Sequence, residues 1–573
     1  MKELRITSSF NILPSSKLWE KLYPYNHIKF GDYGDWISSI FDSDNSQLLW
    51  IFFLEDLIST ENIPSTNNDK IDELLEKTLS PLVRRLQKSD SETLVAWSSW
   101  RSSSIIRLTR SESYWGKLSR NLESKLYKIA SEFPSLYLIP LDEMFFKYGS
   151  NKCFDARNYY ASSCRLSIYG IDVMVDTIQS VLYRIETPPK KVLVLDCDNT
   201  LWGGVVGEVG ITGIILGNDG IGKSFSDFQR VIKQLSLYGV ILTILSKNNE
   251  FDVWEVFQNH AGMQINKSDV ASWEINWREK STNIINISKK LNLGLDSFVF
   301  WDDNPLEREK MRIALPQVTT IDVPDDTTCW PLLLETLDDF ASFSLTSEDL
   351  NKSYQYKQYS SFSSELQQVK DELSFLATIN LKPVVVNLSN SVLSRAEQLC
   401  HKTNQFNLRT IRYSLDSLNN ISKNSEYQSF LVGLNDIFGD HGIVGFVIVK
   451  KYNEVAFLDT FLISCRVLGR HLENWILSKV IDKLLNIECS FLLAEFIPNN
   501  RNAIVESFLL DCGFIPIDEV GIHIQNRLLN AMRLSNKIGK YYYIDLKLAK
   551  IPFLEIFKDE NKYQGQIVHT QDW

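Results

Sequence analysis

The sequence predicts an α/β protein of three parts: a central Rossmann-like domain with a parallel sheet, preceded by an α/β domain and followed by an α+β domain. Short apolar runs alternate with helical segments through the first 340 residues, which is typical of doubly wound sheets. Two prolines after a long helical segment mark a first boundary near residue 188. Beyond residue 380, apolar strands follow one another with short turns. The predicted domains therefore span residues 1–188, 189–340 and 341–573.

Composition limits the classes of partner. The chain has 573 residues and a net charge of -11, which argues against nucleic acid or an anionic membrane surface as the main partner. It has no run of about 18 apolar residues, and its start lacks the apolar region of a signal peptide, so we expect a cytoplasmic protein with no membrane partner. None of the eight cysteines forms a CxxC pair, so neither a zinc site nor a disulfide framework is predicted.

The first domain has strand patterns at 4–7, 48–58, 93–100 and 136–141, with a helical pattern at 75–87. Ser9 follows the first strand directly, an arrangement that resembles the SGNH-like α/β fold, so Ser9 is a candidate nucleophile. A serine nucleophile needs a base, and the only histidine in this region is His27. We therefore expect a non-catalytic domain that packs or recruits a partner.

Polar residues follow three apolar runs of the central domain, at 192–195, 240–245 and 297–301. The carboxyl ends of parallel strands meet at one edge of a sheet, so these polar residues should lie together. Lys280, at the start of a predicted helix, belongs to the same group. The residues at the strand ends are Asp196, Asp198, Ser246, Asp302 and Asp303.

Four carboxylates facing one another cannot all be ionised and unpaired. Oxygen ligands of this kind suit Mg²⁺, and Lys280 would supply a further positive charge. An acidic nucleophile, a second acid, a hydroxyl, an ammonium group and metal ligands make up a phosphoryl-transfer site. The sequence thus predicts such a site at this edge of the sheet.

The segments DCDNT, LSKN, NWREKS and FWDDNPLER resemble the four motifs of haloacid-dehalogenase (HAD) superfamily phosphotransferases, over about residues 190–325. The resemblance implies that Asp196 is the nucleophile and Asp198 the general acid/base. It implies that Thr200 and Ser246 orient the phosphate and that Lys280 neutralises it. The metal ligands that it implies are Asp196, Asp302 and the backbone carbonyl of Asp198, with Asp303 either as a further ligand or as a residue that supports the ligands. The substrate contacts that we predict beside these motifs are Trp202, Gly203, Gly204, Lys247, Asn248, Asn304 and Arg308.

The longer strings LDCDNTLWGGVVGE and WDDNPLER resemble FkbH-like glyceryl transferase/phosphatases of the HAD superfamily. This resemblance implies that a glyceryl group from 1,3-bisphosphoglycerate is loaded as a thioester, loses its remaining phosphate and passes to an acyl carrier protein for polyketide assembly. Two alternatives remain open, namely a small-molecule HAD phosphatase with inert flanking domains and a carrier-binding scaffold.

The third domain resembles N-acetyltransferases of the GNAT type, in which an R-x-x-G-x-G/A loop enters a helix. Here the loop departs from that form, because His471 stands at its last position. The helix start can receive an anion, and the resemblance to FkbH-like proteins makes phosphopantetheine on a carrier protein the expected partner. The residues assigned to this contact are Cys465, Arg466, Gly469 and Arg470.

Two cysteines are candidates for the thioester. Cys197 lies between Asp196 and Asp198 and is the first candidate, although strand alternation would turn its thiol away and the acids would raise its pKa. Cys465 is the second candidate. Direct transfer of the glyceryl group to the carrier thiol is the third possibility.

Overall fold

The computed structural model describes residues 3–22, 27–31, 34–41, 46–58, 68–89, 91–100, 114–343, 347–366, 369, 371–499, 502–532 and 539–558. They form two compact units. Unit 1 comprises residues 1–189 and 338–344, and unit 2 comprises residues 190–337 and 345–573. The second and third predicted domains thus lie in one unit.

Unit 1 contains a five-stranded parallel sheet of order β2-β1-β3-β4-β5. Alternate residues of its central strands belong to two apolar clusters, one against each layer of helices. The strands are β1 (Glu3–Ser8), β2 (His27–Phe30), β3 (Gln47–Phe53), β4 (Thr93–Ser98) and β5 (Leu136–Pro140). The helices are α1 (Ser16–Trp19), α2 (Trp36–Phe41), α3 (Leu54–Leu57), α4 (Asn68–Lys88), α5 (Tyr114–Glu132), α6 (Leu141–Tyr148), α7 (Ser150–Cys153), α8 (Ala156–Ser162) and α9 (Ile168–Glu186).

Two features of unit 1 differ from the prediction. Strand β2 was not predicted, because it has only four residues and none of them is fully buried. The strand predicted at 48–58 ends at Phe53, and α3 takes up its acidic end.

Unit 2 begins with a second five-stranded parallel sheet, of order β10-β9-β6-β7-β8. Every residue of β6, β7 and β9 is buried, as expected for strands covered on both faces. The strands are β6 (Val192–Leu195), β7 (Ile241–Ser246), β8 (Val270–Ile275), β9 (Phe298–Trp301) and β10 (Thr319–Thr320). The helices are α10 (Val206–Val209), α11 (Gly220–Leu237), α12 (Glu250–Asn259), α13 (Lys280–Leu291), α14 (Pro305–Ala314) and α15 (Trp330–Glu335).

The rest of unit 2 forms an eight-stranded sheet of order β11-β13-β14-β15-β16-β18-β17, with β12 paired to β15. The strands are β11 (Lys382–Asn387), β12 (Phe406–Asn407), β13 (Tyr427–Asp436), β14 (Gly439–Tyr452), β15 (Val455–Ile463), β16 (Phe491–Phe496), β17 (Ile515–Pro516) and β18 (Lys540–Asp545). The helices are α16 (Ser347–Leu366), α17 (Glu372–Thr378), α18 (Leu393–Lys402), α19 (Leu415–Lys423), α20 (Leu472–Asn486), α21 (Ala503–Asp511) and α22 (Ile522–Met532).

Strands β15 and β16 are the parallel neighbours in this otherwise antiparallel sheet, and they diverge along their length. Their paired register runs from Val455 to Leu458 on β15. Beyond it, β12 pairs with the end of β15, and the Arg409 guanidinium forms ion pairs with Asp459 on β15 and Glu495 on β16. The chain itself therefore fills the gap between these two strands.

The predicted fold class is confirmed, because the described residues form an α/β protein with parallel sheets and a separate, mainly antiparallel sheet. Strands β8 and β10 were not predicted. Within the described part of the chain, no helix is both long and apolar enough to cross a membrane.

Candidate active site

The carboxyl ends of β6, β7 and β9 meet at one edge of the central sheet and bring the predicted residues together. Strand β6 is flanked by β9 and β7, so Asp196 lies between Ser246 and Asp302. Lys280 reaches the same edge from the first residue of α13. Residues 106 positions apart in the chain are thus neighbours because parallel strands present their ends on one side.

Lys280 is the buried centre of this cluster. Its Nζ lies 3.0 Å from Asp196 Oδ2 and 2.6 Å from Asp302 Oδ2. Burial alone would lower the pKa of Lys280, but the charges of Asp196 and Asp302 raise it above its ordinary value. The lysine therefore stays protonated and draws the two carboxylates together.

Asp198 lies in a different environment from Asp196. Its Oδ1 accepts hydrogen bonds from Trp202 Nε1 at 2.9 Å and from the Val206 amide at 3.1 Å. Its Oδ2 accepts one from Asn248 Nδ2 at 2.8 Å. Burial nevertheless raises the pKa of Asp198. Two neighbouring carboxyl groups in different surroundings are suited to different roles, one as nucleophile and one as proton donor.

The Asp302–Asp303 pair is held by residues around it. The Thr200 hydroxyl donates to Asp303 Oδ1 at 3.0 Å, so Thr200 fixes a carboxylate. Burial and the charge of Asp196 raise the pKa of both Asp302 and Asp303. Arg308, expected to contact substrate, donates instead to the backbone carbonyls of Asp302 at 2.9 Å and Asp303 at 2.6 Å.

Two more residues predicted to contact substrate have structural partners. Asn304 caps α14, and its side chain accepts the Leu306 amide at 2.9 Å. Lys247 Nζ lies 3.1 Å from Glu307 Oε1 and 3.5 Å from Glu279 Oε2, so two acids already share its charge. The polar groups of Asn304, Lys247 and Arg308 thus bind other groups of the protein, although all three residues were predicted to contact substrate.

The turn after β6 shapes the wall beside the acids. Trp202 is fully buried, and Gly203 pairs with Ile215 through two backbone hydrogen bonds. Gly204 has φ +94° and donates its amide to Asn199 Oδ1 at 2.8 Å. The Trp202 indole of this turn donates a hydrogen bond to Asp198 and so fixes the position of its carboxyl group.

Cys197, the first candidate for the thioester, is fully buried. Burial, with Asp196 and Asp198 beside it, raises the pKa of its thiol well above the ordinary value, although the Ser246 hydroxyl hydrogen-bonds to it. A buried thiol of raised pKa is a poor nucleophile. The structure therefore argues against Cys197, and it places Ser246 beside this thiol.

Three carboxylates of the cluster fit a divalent cation. Asp196, Asp302 and Asp303 each offer an oxygen, and these oxygens lie within 4.8 Å of one another. Asp196 Oδ1 is buried and meets no hydrogen-bond partner among the described residues. One ammonium group cannot balance three carboxylates, so the donor set suits Mg²⁺. The carboxylate of Asp198 is not part of this set.

The predicted anion loop of the third domain is mostly buried. Arg470 is fully buried, pairs with Asp436 Oδ2 at 2.8 Å and lies 3.7 Å from the centre of the Phe362 ring. Arg466 is also buried and donates to Ser464 Oγ at 3.1 Å. Gly469 has φ +83°, a turn conformation that favours glycine. This environment corrects the expectation that Arg470 contacts a carrier.

Cys465, by contrast, is half-buried directly after β15. Its Sγ lies 3.5 Å from the Tyr356 hydroxyl, and its carbonyl accepts the Asn292 side-chain amide at 3.3 Å. It lines a cavity of about 470 Å³ between the central sheet and the third domain. Sequence reasoning missed most residues around this cavity, since they come from distant segments with no shared motif.

In unit 1, the Ser9 hydroxyl donates to Asp56 Oδ2 at 2.7 Å. The Arg165 guanidinium pairs with the same carboxylate. Burial raises the pKa of Asp56. The candidate serine thus belongs to an ion-pair cluster with Asp56 and Arg165, and its hydroxyl bonds to a carboxylate where a hydrolase would have histidine.

Comparison with known proteins returns no matching family model and no matching curated protein. Among solved structures, the chain is similar to the N-terminal part of protein BF1531 from Bacteroides fragilis, which contains a phosphatase domain and is complexed with Mg. The two are 28% identical, the match covers 60% of this chain and 95% of that one, and the TM-score is 0.52. More than half of this chain is therefore similar in fold to a structure that contains a phosphatase domain and Mg.

Acetyltransferases match with lower scores. The ribosomal-protein-S18-alanine N-acetyltransferase from Escherichia coli is 14% identical over 32% of this chain and 99% of its own, with a TM-score of 0.21. A GNAT-family acetyltransferase from Staphylococcus aureus Mu50 is 16% identical over 29% of this chain and 99% of its own, with a TM-score of 0.23. We draw no functional conclusion from these two.

Proposed function

We propose that this protein is a Mg²⁺-dependent glyceryl transferase/phosphatase. It takes a glyceryl unit from 1,3-bisphosphoglycerate, removes the remaining phosphate and delivers the unit to an acyl carrier protein as a thioester. The observation that carries the phosphatase half is Lys280, held between Asp196 and Asp302 beside the unpartnered oxygen of Asp196. The similarity to a magnesium-bound phosphatase supports this half. The transferase half depends on the sequence resemblance and on Cys465.

In the phosphatase step, an Asp196 oxygen attacks the phosphorus of the phosphate ester. The bond between phosphorus and the ester oxygen breaks, and that oxygen takes a proton from Asp198. A water molecule then attacks the aspartyl phosphate and gives its proton to Asp198, which releases inorganic phosphate and restores both acids. The raised pKa of Asp198 favours its protonated form for the first half of this cycle.

Asp196, Asp302 and Asp303 would hold the Mg²⁺ ion. When bound, the ion supplies positive charge that offsets the negative charge of the phosphate and of the acids. Lys280 holds the Asp196 carboxylate in place through their ion pair. Arg308 keeps the Asp302–Asp303 backbone in place through two carbonyls.

For the transfer step we favour Cys465 over Cys197, because Cys465 borders a cavity and Cys197 is fully buried. Its thiolate attacks the carbonyl carbon of the acyl phosphate, the carbon–oxygen bond breaks, and phosphate leaves with the electron pair. The carrier thiol then attacks the thioester carbonyl, the carbon–sulfur bond breaks, and the Cys465 sulfur recovers a proton. An acyl phosphate is already activated, so neither step needs ATP.

Intact-protein mass spectrometry tests the proposal. Purified protein, Mg²⁺, 1,3-bisphosphoglycerate and a carrier protein should yield glyceryl carrier, and Asp196→Asn should stop at the phosphoglyceryl stage. Cys465→Ala should abolish the mass gain on the enzyme, whereas Cys197→Ala should keep it. Free phosphate with no mass gain on any thiol would leave a simple phosphatase, and unchanged product formation by Asp196→Asn would leave a carrier-binding scaffold.

A further inference from the structure

The cavity beside Cys465 has a strongly positive lining. Among the described residues, five basic side chains contribute to its wall and no aspartate or glutamate does. Its volume of about 470 Å³ lies within the range of small-molecule sites. The five residues come from both parts of unit 2 and are Lys191, Lys289, Arg395, Lys402 and Arg466.

This lining stands out because the protein as a whole is acidic, with a net charge of -11. Arg395 donates to the Ile443 carbonyl and Arg466 donates to the Ser464 hydroxyl, so both guanidinium groups are held in position at the wall of the cavity. A concave surface that gathers one sign of charge raises the local concentration of ligands of the opposite sign. Guanidinium and ammonium groups together suit phosphate oxygens.

The thiol of Cys465 is fixed at the wall of this cavity. The Asn292 amide holds its backbone carbonyl, and Gln405 Nε2 donates to Asn292 Oδ1 at 3.2 Å. The buried Tyr356 places its hydroxyl 3.5 Å from the Cys465 sulfur. A ligand with its phosphate among the basic side chains would therefore have its other end near a positioned sulfur.

This cavity is separate from the phosphatase site. Lys191 and Ser297 line it, and they precede β6 and β9. Asp196 and Asp302 follow the same two strands. Five residues of extended chain from Lys191 to Asp196 span about 16 Å, so the two regions lie at opposite ends of the central strands.

The gap between β15 and β16 in the third domain is already occupied by the chain. The gap between β15 and β16 could accept a strand-like chain, but β12 already pairs there with β15. The Leu408 amide donates to Phe461 O, and the Ile497 amide donates to Leu408 O, both at 3.1 Å. A ligand would have to displace this segment, whereas the basic cavity is already formed.

We propose that the basic cavity is a second binding site, for a phosphate-bearing ligand whose acyl or thiol end meets Cys465. It deepens the proposed function, on which the choice of ligands depends. The shared ligand chemistry is a phosphate group on a short carbon chain, and it could come from a phosphorylated acid or from a phosphopantetheine arm. Acyl transfer and phosphate removal then occur at opposite ends of one sheet, so a mobile thiol arm carries the acyl group between them.

Protection of Cys465 from alkylation tests this site. The full chain is treated with N-ethylmaleimide, and each cysteine is followed by peptide mass spectrometry. We expect a ligand at saturating concentration to slow alkylation of Cys465 about tenfold, while exposed Cys329 reacts unchanged. The probes are 3-phosphoglycerate, coenzyme A, glycerate and pantetheine, of which the last two lack phosphate.

Protection by 3-phosphoglycerate alone identifies the small acid as the ligand, and protection by coenzyme A alone identifies the pantetheine arm. Lys402→Glu, at the end of α18, should abolish protection, and Lys423→Glu, at the end of α19 and away from the cavity, should keep it. If no phosphate compound changes the rate more than about twofold at about 10 mM, the proposal is wrong. Equal protection by the phosphate-free probes would also overturn it.

The same samples separate this site from the proposed function. Protection that persists in a protein without phosphatase or transferase activity supports the cavity and overturns the function. Full glyceryl transfer without protection supports the function and overturns the cavity. Asp196→Asn should retain protection, because Asp196 lies at the other end of the strand.

Discussion

Replacing Arg308 with methionine should weaken Mg²⁺ binding without weakening substrate binding. The guanidinium is buried and donates to the carbonyls of Asp302 and Asp303. Hydrogen bonds from a charged donor contribute about 1.5–3 kcal/mol each, so losing two should lower the free energy of unfolding by about 3 kcal/mol or more. Methionine keeps most of the apolar volume, so the loss reports these contacts.

The Asp302–Asp303 backbone would then be free to shift, and two metal-binding carboxylates would shift with it. Loss of a group that supports metal ligands costs about 10- to 100-fold in metal affinity or activity. We expect the Mg²⁺ concentration for half-maximal activity to rise at least about tenfold, with KM for a small phosphate ester little changed at saturating Mg²⁺. Urea unfolding and a phosphate-release assay across a Mg²⁺ titration measure both effects.

Arg312→Met is the matched control. Arg312 lies on the same helix, α14, but is partly exposed and pairs with Glu309 and Asp322 at the surface. Surface pairs contribute about 0–1 kcal/mol, so this variant should retain stability and Mg²⁺ dependence. If Arg308→Met raises KM about tenfold while stability and Mg²⁺ dependence stay normal, Arg308 contacts substrate and the reasoning above is refuted.

Two other predictions concern stability. A Cβ on Gly203 would lie 3.0 Å from the Phe225 ring and 3.1 Å from Ile215 Cβ, so Gly203→Ala should cost about 1–3 kcal/mol in urea unfolding. Gly207→Ala, which meets no atom within 4 Å, should cost much less, and equal losses would contradict the crowding argument. Burial raises the pKa of Glu473 from its ordinary 4.5 to about 7. Between pH 4.5 and about 7, the native state therefore binds more protons than the unfolded chain. The protonated Glu473 side chain contributes fully to stability below pH 4.5, and this contribution is lost as pH rises through about 7. Glu473→Gln should remove that decline in unfolding measured at about pH 5 and pH 8, and an unchanged decline would place its origin elsewhere.

The acids of the active site could be predicted because each one ends an apolar run. Parallel strands turn that sequence pattern into proximity, so Asp196, Asp302 and the neighbouring Ser246 followed from spacing alone. The edge strand β8 could not, since three of its six residues are polar or tryptophan and its pattern is mixed.

The role of individual side chains was harder to predict. Arg308 was expected to contact substrate because it follows the Asp302–Asp303 motif in the sequence. Its guanidinium instead donates to the backbone carbonyls of these two residues, which no sequence pattern indicates. The sequence ranked Cys197 before Cys465, whereas burial of the Cys197 thiol favours Cys465. The basic cavity was unpredictable because Lys191 and Cys465 lie 274 positions apart in the chain and share no motif.

Helix α13 connects the candidate active site with the basic cavity. Its first residue, Lys280, contacts Asp196 and Asp302, and Lys289, in its last turn, lines the basic cavity. The nine residue steps from Lys280 to Lys289 give a helical length of about 14 Å. The two sites thus share one helix, and a shift of α13 along its axis would move Lys280 and Lys289 together.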